Sequence, residues 1–196
     1  MIRTAAILLA AGLATGPAAA QMGNPAGMGA DTRMAEPGKP APHQTNNTDR
    51  LFAQLAAAGG LAEVDLGEMA RDRADAQGVR DFAEMMVRDH GDANARLAEL
   101  AEAARIPLPQ ELDPDHQALR DRLEGADGVA FDLAYIRAQI VEHQKTAQLL
   151  AWEVDAGQDG DIQRLAADLL PVVLGHLERA QALNGELSGA GVRILP

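Results

Sequence analysis

Cysteine is absent from this chain of 196 residues, and its absence removes several kinds of chemistry at once. The chain has no disulfide, no thiolate ligand for a metal and no cysteine nucleophile. Attachment of a lipid to a processed cysteine is excluded for the same reason. Ser188 is the only serine and has no candidate base beside it, and no glycine-rich phosphate loop is present. We therefore expect a protein that is not an enzyme.

Positive charge is also in short supply, because 17 Lys and Arg residues accompany 29 Asp and Glu residues, for a formal net charge of −12. An acidic chain of this kind is repelled by nucleic acid and by anionic membrane surfaces. The acids are spread along the sequence rather than grouped, which is typical of solvated helix surfaces. We expect no nucleic-acid partner, while the sequence leaves a homo-oligomer open.

The first 20 residues have the pattern of a secretory signal peptide. Arg3 gives a basic start, residues 4–15 form a short apolar run, and Ala18-Ala19-Ala20 supplies a small-residue cleavage site. The apolar run is too short to span a bilayer, and no later segment is apolar enough to do so. We predict cleavage after Ala20 and a location in the periplasm or outside the cell.

Residues 21–47 are rich in Gly, Pro, Ala, Asn and Met and show no apolar period, which predicts a disordered linker. The thioether and imidazole groups in this stretch would suit copper, and they belong to Met22, Met28, Met34 and His43. Nothing in the sequence orients them, so a flexible tether is the interpretation that we adopt.

Residues 48–185 are predicted to form an all-α domain with four long helices and one short helix, followed by a tail over residues 186–196. Caps, glycines and prolines indicate where each helix begins and ends. The first long helix is predicted from Asn47 to about Ala74, and the second is capped by Asp75 and ended by Pro107. A short helix from Pro114 to Glu124 follows, and the third and fourth long helices are predicted at 129–156 and about 159–184. The first and second long helices are joined by a few residues, as are the third and fourth. The connection between the two pairs takes about twenty residues, enough to run the length of a bundle. Two antiparallel hairpins joined by one long crossover form the ferritin-like four-helix arrangement.

Several short motifs of the predicted domain resemble one bacterial family. They are Gly59-Gly60-Leu61-x-Glu63, Phe82-Ala83-x-Met85-x-x-x-Asp89-His90, Phe131-Asp132-x-x-Tyr135, His143 and Leu170-Pro171-x-x-x-x-His176. This set resembles the domain-of-unknown-function family four-one-four-two, over roughly residues 48–184. The resemblance implies a secreted protein with a ferritin-like fold, of the kind often labelled an outer-membrane protein, and it implies no activity.

Four polar residues interrupt the apolar stripes of the four long helices: Glu63, His90, His143 and His176. Each lies about 14 to 15 residues from the start of its helix, or about 21 Å along the axis. Antiparallel helices of equal length cross at their midpoints, so we predict that these side chains share one layer. The stripe of the second long helix is predicted as Phe82, Met86, His90, Ala93, Leu97 and Leu100. The stripe of the third is predicted as Ile136, Ile140, His143, Ala147, Leu150 and Val154, and that of the fourth as Leu165, Leu169, Val172, His176, Ala180 and Leu183.

A buried Glu63 anion costs several kcal/mol unless it is paired. A divalent cation would offset that cost, and three neutral imidazoles with one carboxylate suit zinc, copper, iron or manganese. Asp89 and Tyr135 are candidate outer partners that would hold the ligands by hydrogen bonds. A protonated histidine beside Glu63 would also offset the cost, with no metal present.

The usual di-iron centre of helical bundles does not fit this sequence. That centre needs a Glu-x-x-His motif on two helices, whereas Val87, Ile140 and Val173 stand three residues before the histidines. Two hypotheses follow from the pattern. The first is an exported, non-catalytic bundle with a buried His/Glu layer that fixes the core register. The second is a periplasmic metalloprotein that binds one transition metal for storage, buffering or redox protection.

Overall fold

The chain folds as an all-α bundle of four long helices with a fifth, short helix on the crossover. This computed structural model describes residues 34–36, 39–40 and 43–190. The elements are β1 (Met34–Glu36), β2 (Lys39–Pro40), α1 (Asn47–Arg73), α2 (Gln77–Ala103), α3 (Pro114–Glu124), α4 (Gly128–Ala156) and α5 (Gly160–Ala190). β1 and β2 pair antiparallel, with Met34 opposite Pro40 and Glu36 opposite Lys39. The all-α prediction is confirmed.

The predicted signal peptide lies outside the described residues, as does most of the predicted linker. At the other end, α5 continues through Asn184 and Gly185 to Ala190, so residues 186–190 are helical where the sequence predicted a tail. No helix among residues 43–190 combines the length and the apolarity needed to cross a membrane.

Buried carboxylates fix the ends of the helices. Asn46 caps α1 through a reciprocal pair of hydrogen bonds with Asp49. The cap predicted for α2 is wrong, because Ala76 rather than Asp75 occupies the N-cap and has no polar side chain. The backbone amides at this turn, which have no partner within α2, donate instead to the side chain of Asp132 on α4. Asp75 N lies 3.1 Å from Oδ1 of Asp132, and Ala76 N lies 2.8 Å from its Oδ2.

Asp49 and Asp132 also establish the direction of the chain in the bundle. Asp49, in the first turn of α1, accepts hydrogen bonds from the amides of Gln158 and Asp159 in the α4–α5 turn. Asp132, near the start of α4, holds the α1–α2 turn. The start of each hairpin therefore clamps the turn of the other hairpin, which requires α1 and α4 to be antiparallel. The crossover from α2 to α4 consequently travels the length of the bundle.

Two apolar clusters occupy the two ends of the bundle. One contains Phe52, Leu97, Leu150 and Ile162, and the other contains Phe82, Phe131, Tyr135 and Leu183. On each long helix the polar residue singled out by the sequence falls between the residues that belong to the two clusters. A layer of polar side chains therefore separates two hydrophobic cores.

Replacing Asp132 with alanine is expected to lower the free energy of unfolding by about 2 to 3 kcal/mol. The side chain is fully buried, and its loss leaves two amides of the α1–α2 turn without their charged acceptor. Chemical denaturation measures the change. The matched control is Asp155→Ala, at an exposed position on the same helix, which should stay within about 0.5 kcal/mol of wild type. Equal effects of the two substitutions would contradict the clamp.

Candidate metal centre

Three helices each contribute one buried histidine to a single cluster. His90 from α2, His143 from α4 and His176 from α5 are 8%, 1% and 4% exposed. Their ring centroids lie 5.4 to 5.6 Å apart in all three pairs. One ring nitrogen of each histidine lies within 4.8 Å of the corresponding nitrogens of the other two. The layer predicted from the sequence thus brings the three imidazoles together.

The outer hydrogen bond of His143 fixes which of its nitrogens carries the proton. Nδ1 lies 2.9 Å from the carbonyl oxygen of Gln139, one helical turn earlier. A carbonyl oxygen only accepts, so Nδ1 must be the donor. In the neutral ring, Nε2 then carries a lone pair and no proton.

The same reasoning fixes the ring of His176. Its Nε2 lies 3.0 Å from Oδ2 of Asp89, and an ionised carboxylate only accepts. Burial raises the pKa of Asp89, but hydrogen bonds from Arg88 and His176 outweigh burial and leave it below its ordinary value. The carboxylate is therefore ionised at neutral pH, Nε2 donates to it, and Nδ1 of the neutral ring holds the lone pair.

These two lone pairs face each other. His143 Nε2 and His176 Nδ1 are 3.3 Å apart, a hydrogen-bond distance at which neither nitrogen of the neutral pair has a proton to donate. Two nitrogens bound to one zinc ion at about 2.0 to 2.1 Å in tetrahedral geometry lie about 3.3 to 3.4 Å apart. The spacing of the two nitrogens is that of two ligands of one metal ion.

His90 supplies a third nitrogen with no partner. Its Nε2 is buried and makes no hydrogen bond to any of the described residues. A buried polar atom left in this condition costs about 1 to 3 kcal/mol, so it usually has a water or an ion as partner. The ring packs edge-on against His143, with 86° between the two ring planes.

The environment of the cluster keeps the three rings neutral. Burial lowers the pKa of His90 and of His143 to about 4 each. Burial also lowers the pKa of His176, although the hydrogen bond to Asp89 opposes this change. Neutral imidazole is the form of histidine that binds metal ions, so at neutral pH no proton competes for the nitrogens.

Glu63 is buried in the same layer but lies at a different edge of the cluster. Its Oε1 is 3.7 Å from Nδ1 of His143, the nitrogen that donates to Gln139, and the carboxylate is outside the convergent set. Burial raises the pKa of Glu63, opposed mainly by the charge of His90. Of the four ligands expected from the sequence, the three imidazoles therefore converge, and the carboxyl group of Glu63 lies beside them.

The two outer partners expected from the sequence lie in different surroundings. Asp89 holds His176 rather than its chain neighbour His90, because successive residues of a helix point about 100° apart. Tyr135 is fully buried against Phe82 and Phe131, and its hydroxyl has no hydrogen-bond partner in the described part of the chain. Burial, with a smaller contribution from the charge of Glu63, raises the pKa of Tyr135 well above its ordinary value.

A small cavity of about 60 Å³ adjoins the cluster. His90, His176, Glu63, Asp89 and Asn94 line its polar side, and apolar side chains from both hairpins line the rest. The space exceeds that needed for one water molecule. It can therefore hold a water or a small ligand beside His90 and His176.

Gly60 allows the helix carrying Asn94 to approach α1 at this cavity. A Cβ at position 60 would lie 1.9 Å from Oδ1 of Asn94, whereas one at Gly59 would meet nothing within 4 Å. Of the two adjacent glycines in α1, only Gly60 is therefore required for packing. Any larger residue there would push Asn94 toward the cavity.

His116 has more contacts than its position on the crossover suggests. Its Nδ1 lies 2.6 Å from Asp113, which caps α3, and its Nε2 lies 3.7 Å from Glu142 on α4. The nearby carboxylates of Glu142 and Asp113 raise the pKa of His116, whereas burial lowers the pKa of the three clustered histidines. His116 thus differs in chemistry from the three buried histidines.

The family and structure comparisons agree with this architecture. The family model described as "Domain of unknown function (DUF4142)" matches residues 34–183, and none of the curated proteins matches the chain. Among solved structures, a DUF305 fragment from Deinococcus radiodurans is 16% identical, with a TM-score of 0.66 over 74% of this chain and 99% of that one. A DUF305 protein from Streptomyces coelicolor is 18% identical, with a TM-score of 0.63 over 72% and 92%.

A third similar structure is described as CopM in the Ag-bound form, obtained by co-crystallization. It is 18% identical, with a TM-score of 0.58 over 70% of this chain and 96% of that chain. At such low identities, these similarities establish the shared helical-bundle fold and nothing more.

Proposed function

Because the chain belongs to the family described as Domain of unknown function (DUF4142), whose description states no activity, we propose its function from the chemistry of the buried layer. The protein binds one transition-metal ion through His90, His143 and His176 and acts as a metal-holding protein of the cell envelope. The family resemblance noted from the sequence motifs is confirmed by the match over residues 34–183.

The observation that carries this proposal is the pair of opposed lone pairs. Gln139 and Asp89 accept the protons of His143 and His176, which leaves two neutral nitrogens facing each other at 3.3 Å. A purely structural hydrogen-bonded ring would place a donor opposite an acceptor. A cation between the two nitrogens turns an unfavourable contact into two coordinate bonds. Hydrogen bonds from the ligands to a carboxylate and a carbonyl are also typical of metal centres.

The charges around the layer support a dication. Three neutral imidazoles add no charge, so a divalent ion would bring two uncompensated positive charges into the core. Asp89, which also pairs with Arg88, lies against the outer nitrogen of His176, and the carboxyl group of Glu63 lies 3.7 Å from His143 in the same buried layer. The raised pKa of Glu63 describes the carboxyl group without such an ion beside it. A cation in this layer favours the ionised form of a nearby carboxyl group, so we expect metal binding to weaken as the pH falls.

The donor set favours zinc or copper. Imidazole nitrogens suit both ions, and the 3.3 Å separation agrees with tetrahedral coordination. The similar CopM structure is described with bound silver, a soft cation, which supports the proposal that this kind of bundle can hold such ions. Manganese prefers carboxylate, carbonyl and water ligands, which the three histidines do not provide.

Storage or buffering suits this site better than turnover. The ligands are at most 8% exposed, so an ion held there is shielded from solvent and exchanges slowly. We further propose that the bundle is of the ferritin-like type, since its two hairpins are joined by a crossover that spans the bundle. Export to the periplasm follows from the signal-peptide pattern of residues 1–20, and the role proposed is metal buffering in that compartment.

The direct test is the metal content of the protein purified without an affinity tag and then reloaded after chelation. We expect plasma mass spectrometry to find, in wild type, one equivalent of zinc or copper that depends on the histidine cluster. The His143→Ala variant should lose this equivalent, while the matched His116→Ala variant, which changes a histidine outside the cluster, should retain it. Ligand loss should weaken binding at least about 100-fold, beyond the range seen for outer partners.

A second candidate function rests on a different observation, the position of the layer between two apolar clusters. A metal-free polar layer at this level would fix the register of the helices in a non-catalytic envelope protein. Wild type that takes up no zinc or copper after reloading, with both variants equally empty, would contradict the metal centre and leave this role.

A further inference from the structure

A second group of ligand-type side chains lies at the α4–α5 turn, at the end of the bundle where α1 begins. It consists of His43, Asp159 and Asp161, and one ligand atom of each lies within 4.8 Å of the others. His43 precedes α1, whereas the two aspartates flank the start of α5. The group therefore joins two segments that are more than a hundred residues apart in sequence.

Asp159 provides the main indication that this group binds a ligand. The residue is 4% exposed, and its Oδ1 caps α5 by accepting from the amides of Asp161 and Ile162. Its Oδ2 is buried and accepts no hydrogen bond from any described residue, yet it points to Nδ1 of His43 at 3.6 Å. A buried carboxyl oxygen in this position needs a cation or a donor closer than the imidazole.

We propose that His43, Asp159 and Asp161 form a second divalent-cation site, which ties the segment before α1 to the α4–α5 turn. Oδ2 of Asp161 lies 3.8 Å from Nδ1 of His43, and Oδ1 of Asp161 pairs with Arg164. Imidazole nitrogen and carboxylate oxygen are both ligands of zinc, and water can occupy the remaining position of a site with three protein ligands. Side-chain exposures of 38% for His43 and 42% for Asp161 leave room for that water.

The surroundings hold the three ligands in place before any ion binds. Gln44, Thr45 and Asn46 are each 1% exposed, and the side-chain amide of Asn46 donates to the carbonyl of Ala156 at 2.9 Å. The chain after His43 is therefore packed against the end of α4. A site whose ligands are fixed by packing loses little conformational entropy when the ion binds.

Two further carboxyl groups lie behind the site and differ in their state. Asp49 is saturated, because it accepts from the amides of Asn46, Gln158 and Asp159. Glu153 is fully buried, and burial together with the charges of Asp49 and Asp159 raises its pKa to about 9. Asp49 is occupied and Glu153 is protonated at neutral pH, which leaves Asp159 and Asp161 as the carboxylates available to an ion.

Zinc titration of the metal-free full chain, followed by equilibrium dialysis and plasma mass spectrometry, tests this second site. We expect two equivalents in wild type and in the control His116→Ala, and one in His43→Ala. The isosteric Asp161→Asn should bind the second equivalent at least about 10-fold more weakly. In His143→Leu the one remaining zinc should give an X-ray absorption spectrum with mostly oxygen ligands.

The variants separate this inference from the proposed function. A His43→Ala variant that binds as much zinc as wild type would reduce the group to an ion pair and overturn the second site. One equivalent in wild type, lost in His143→Leu and kept in His43→Ala, would do the same while leaving the histidine centre intact. The reverse pattern would support the second site and contradict the histidine centre.

Discussion

We expect the His143→Leu variant to lose metal-dependent stabilisation while its metal-free form unfolds at the same temperature as wild type or higher. In the metal-free wild type, His143 presents a lone pair to another lone pair of His176 at 3.3 Å. Leucine has a similar volume and removes this contact. The carbonyl of Gln139 still accepts the backbone amide one turn later in α4, so no buried acceptor is orphaned.

The metal-loaded wild type should behave differently from the variant. An ion at 100 times its dissociation constant stabilises the folded state by about 2.7 kcal/mol. For a chain of this length, that corresponds to a rise of about 5 to 10 °C in the unfolding temperature. Differential scanning calorimetry with and without zinc or copper, in the His43→Ala background so that only the histidine centre can bind, measures this rise. It should be absent when His143→Leu is added and intact when the control His116→Leu is added.

A structural polar layer predicts the opposite pattern. His143→Leu would then lower the stability of the protein by about 1 to 3 kcal/mol whether or not metal is added, because a satisfied hydrogen-bond network would be broken. Wild type would also gain nothing from zinc or copper. The difference between loaded and metal-free protein therefore distinguishes the two roles, whereas the stability of the variant alone does not.

The sequence predicted the level of the polar layer because helix length and rise per residue are nearly constant. Counting from helix starts placed His90, His143 and His176 at one height, and the structure has them together. Side-chain direction is harder to predict. Glu63 enters the same layer, yet its carboxylate faces the donor edge of His143, which depends on rotamers and on packing that no spacing encodes.

Two positions of the predicted apolar stripes were wrong. Val154 and Val172 were placed in the core, but each is 41% exposed, and their neighbours Glu153 and Val173 are buried instead. Steps of three and four residues only approximate a helix of 3.6 residues per turn, so a single choice between the two steps can select the wrong one of two neighbouring residues. A buried glutamate is also contrary to the usual preference of charged residues for the surface.

The clamps made by Asp49 and Asp132 could not be recognised from the sequence. Both side chains are fully buried and accept amides from turns that lie more than fifty residues away. A helix cap within one segment can be recognised from the sequence because its donor and acceptor are three residues apart, as they are for Asn46 and Asp49. A cap supplied by another helix has no such spacing, although the family motif containing Asp132 gave an indirect signal.

In the metal-free protein, acid should destabilise the bundle between about pH 6.5 and pH 4. The folded-state pKa of His90 and of His143 is about 4, against an ordinary value near 6.5 in the unfolded chain. In that window the unfolded chain binds more protons than the folded protein, so the free energy of unfolding falls as the pH falls. Each ring accounts for about 3 kcal/mol at 1.36 kcal/mol per pKa unit.

Two buried glutamates act against this trend. The pKa values of Glu63 and Glu153 are raised, so both groups bind protons more strongly in the folded protein and favour folding at lower pH. The wild-type profile alone therefore mixes opposite contributions. The difference between wild type and His143→Leu removes what the two proteins share and leaves the contribution of one imidazole.

Urea denaturation of both chelated proteins at pH 4, 5, 6 and 7 measures this difference. We expect wild type to lose about 3 kcal/mol more than His143→Leu between pH 6.5 and pH 4, with the curves parallel above pH 7. Parallel curves throughout would mean that the His143 ring gains its proton in the folded protein as easily as in water. The assignment of neutral rings with opposed lone pairs, from which the metal centre is inferred, would then be wrong.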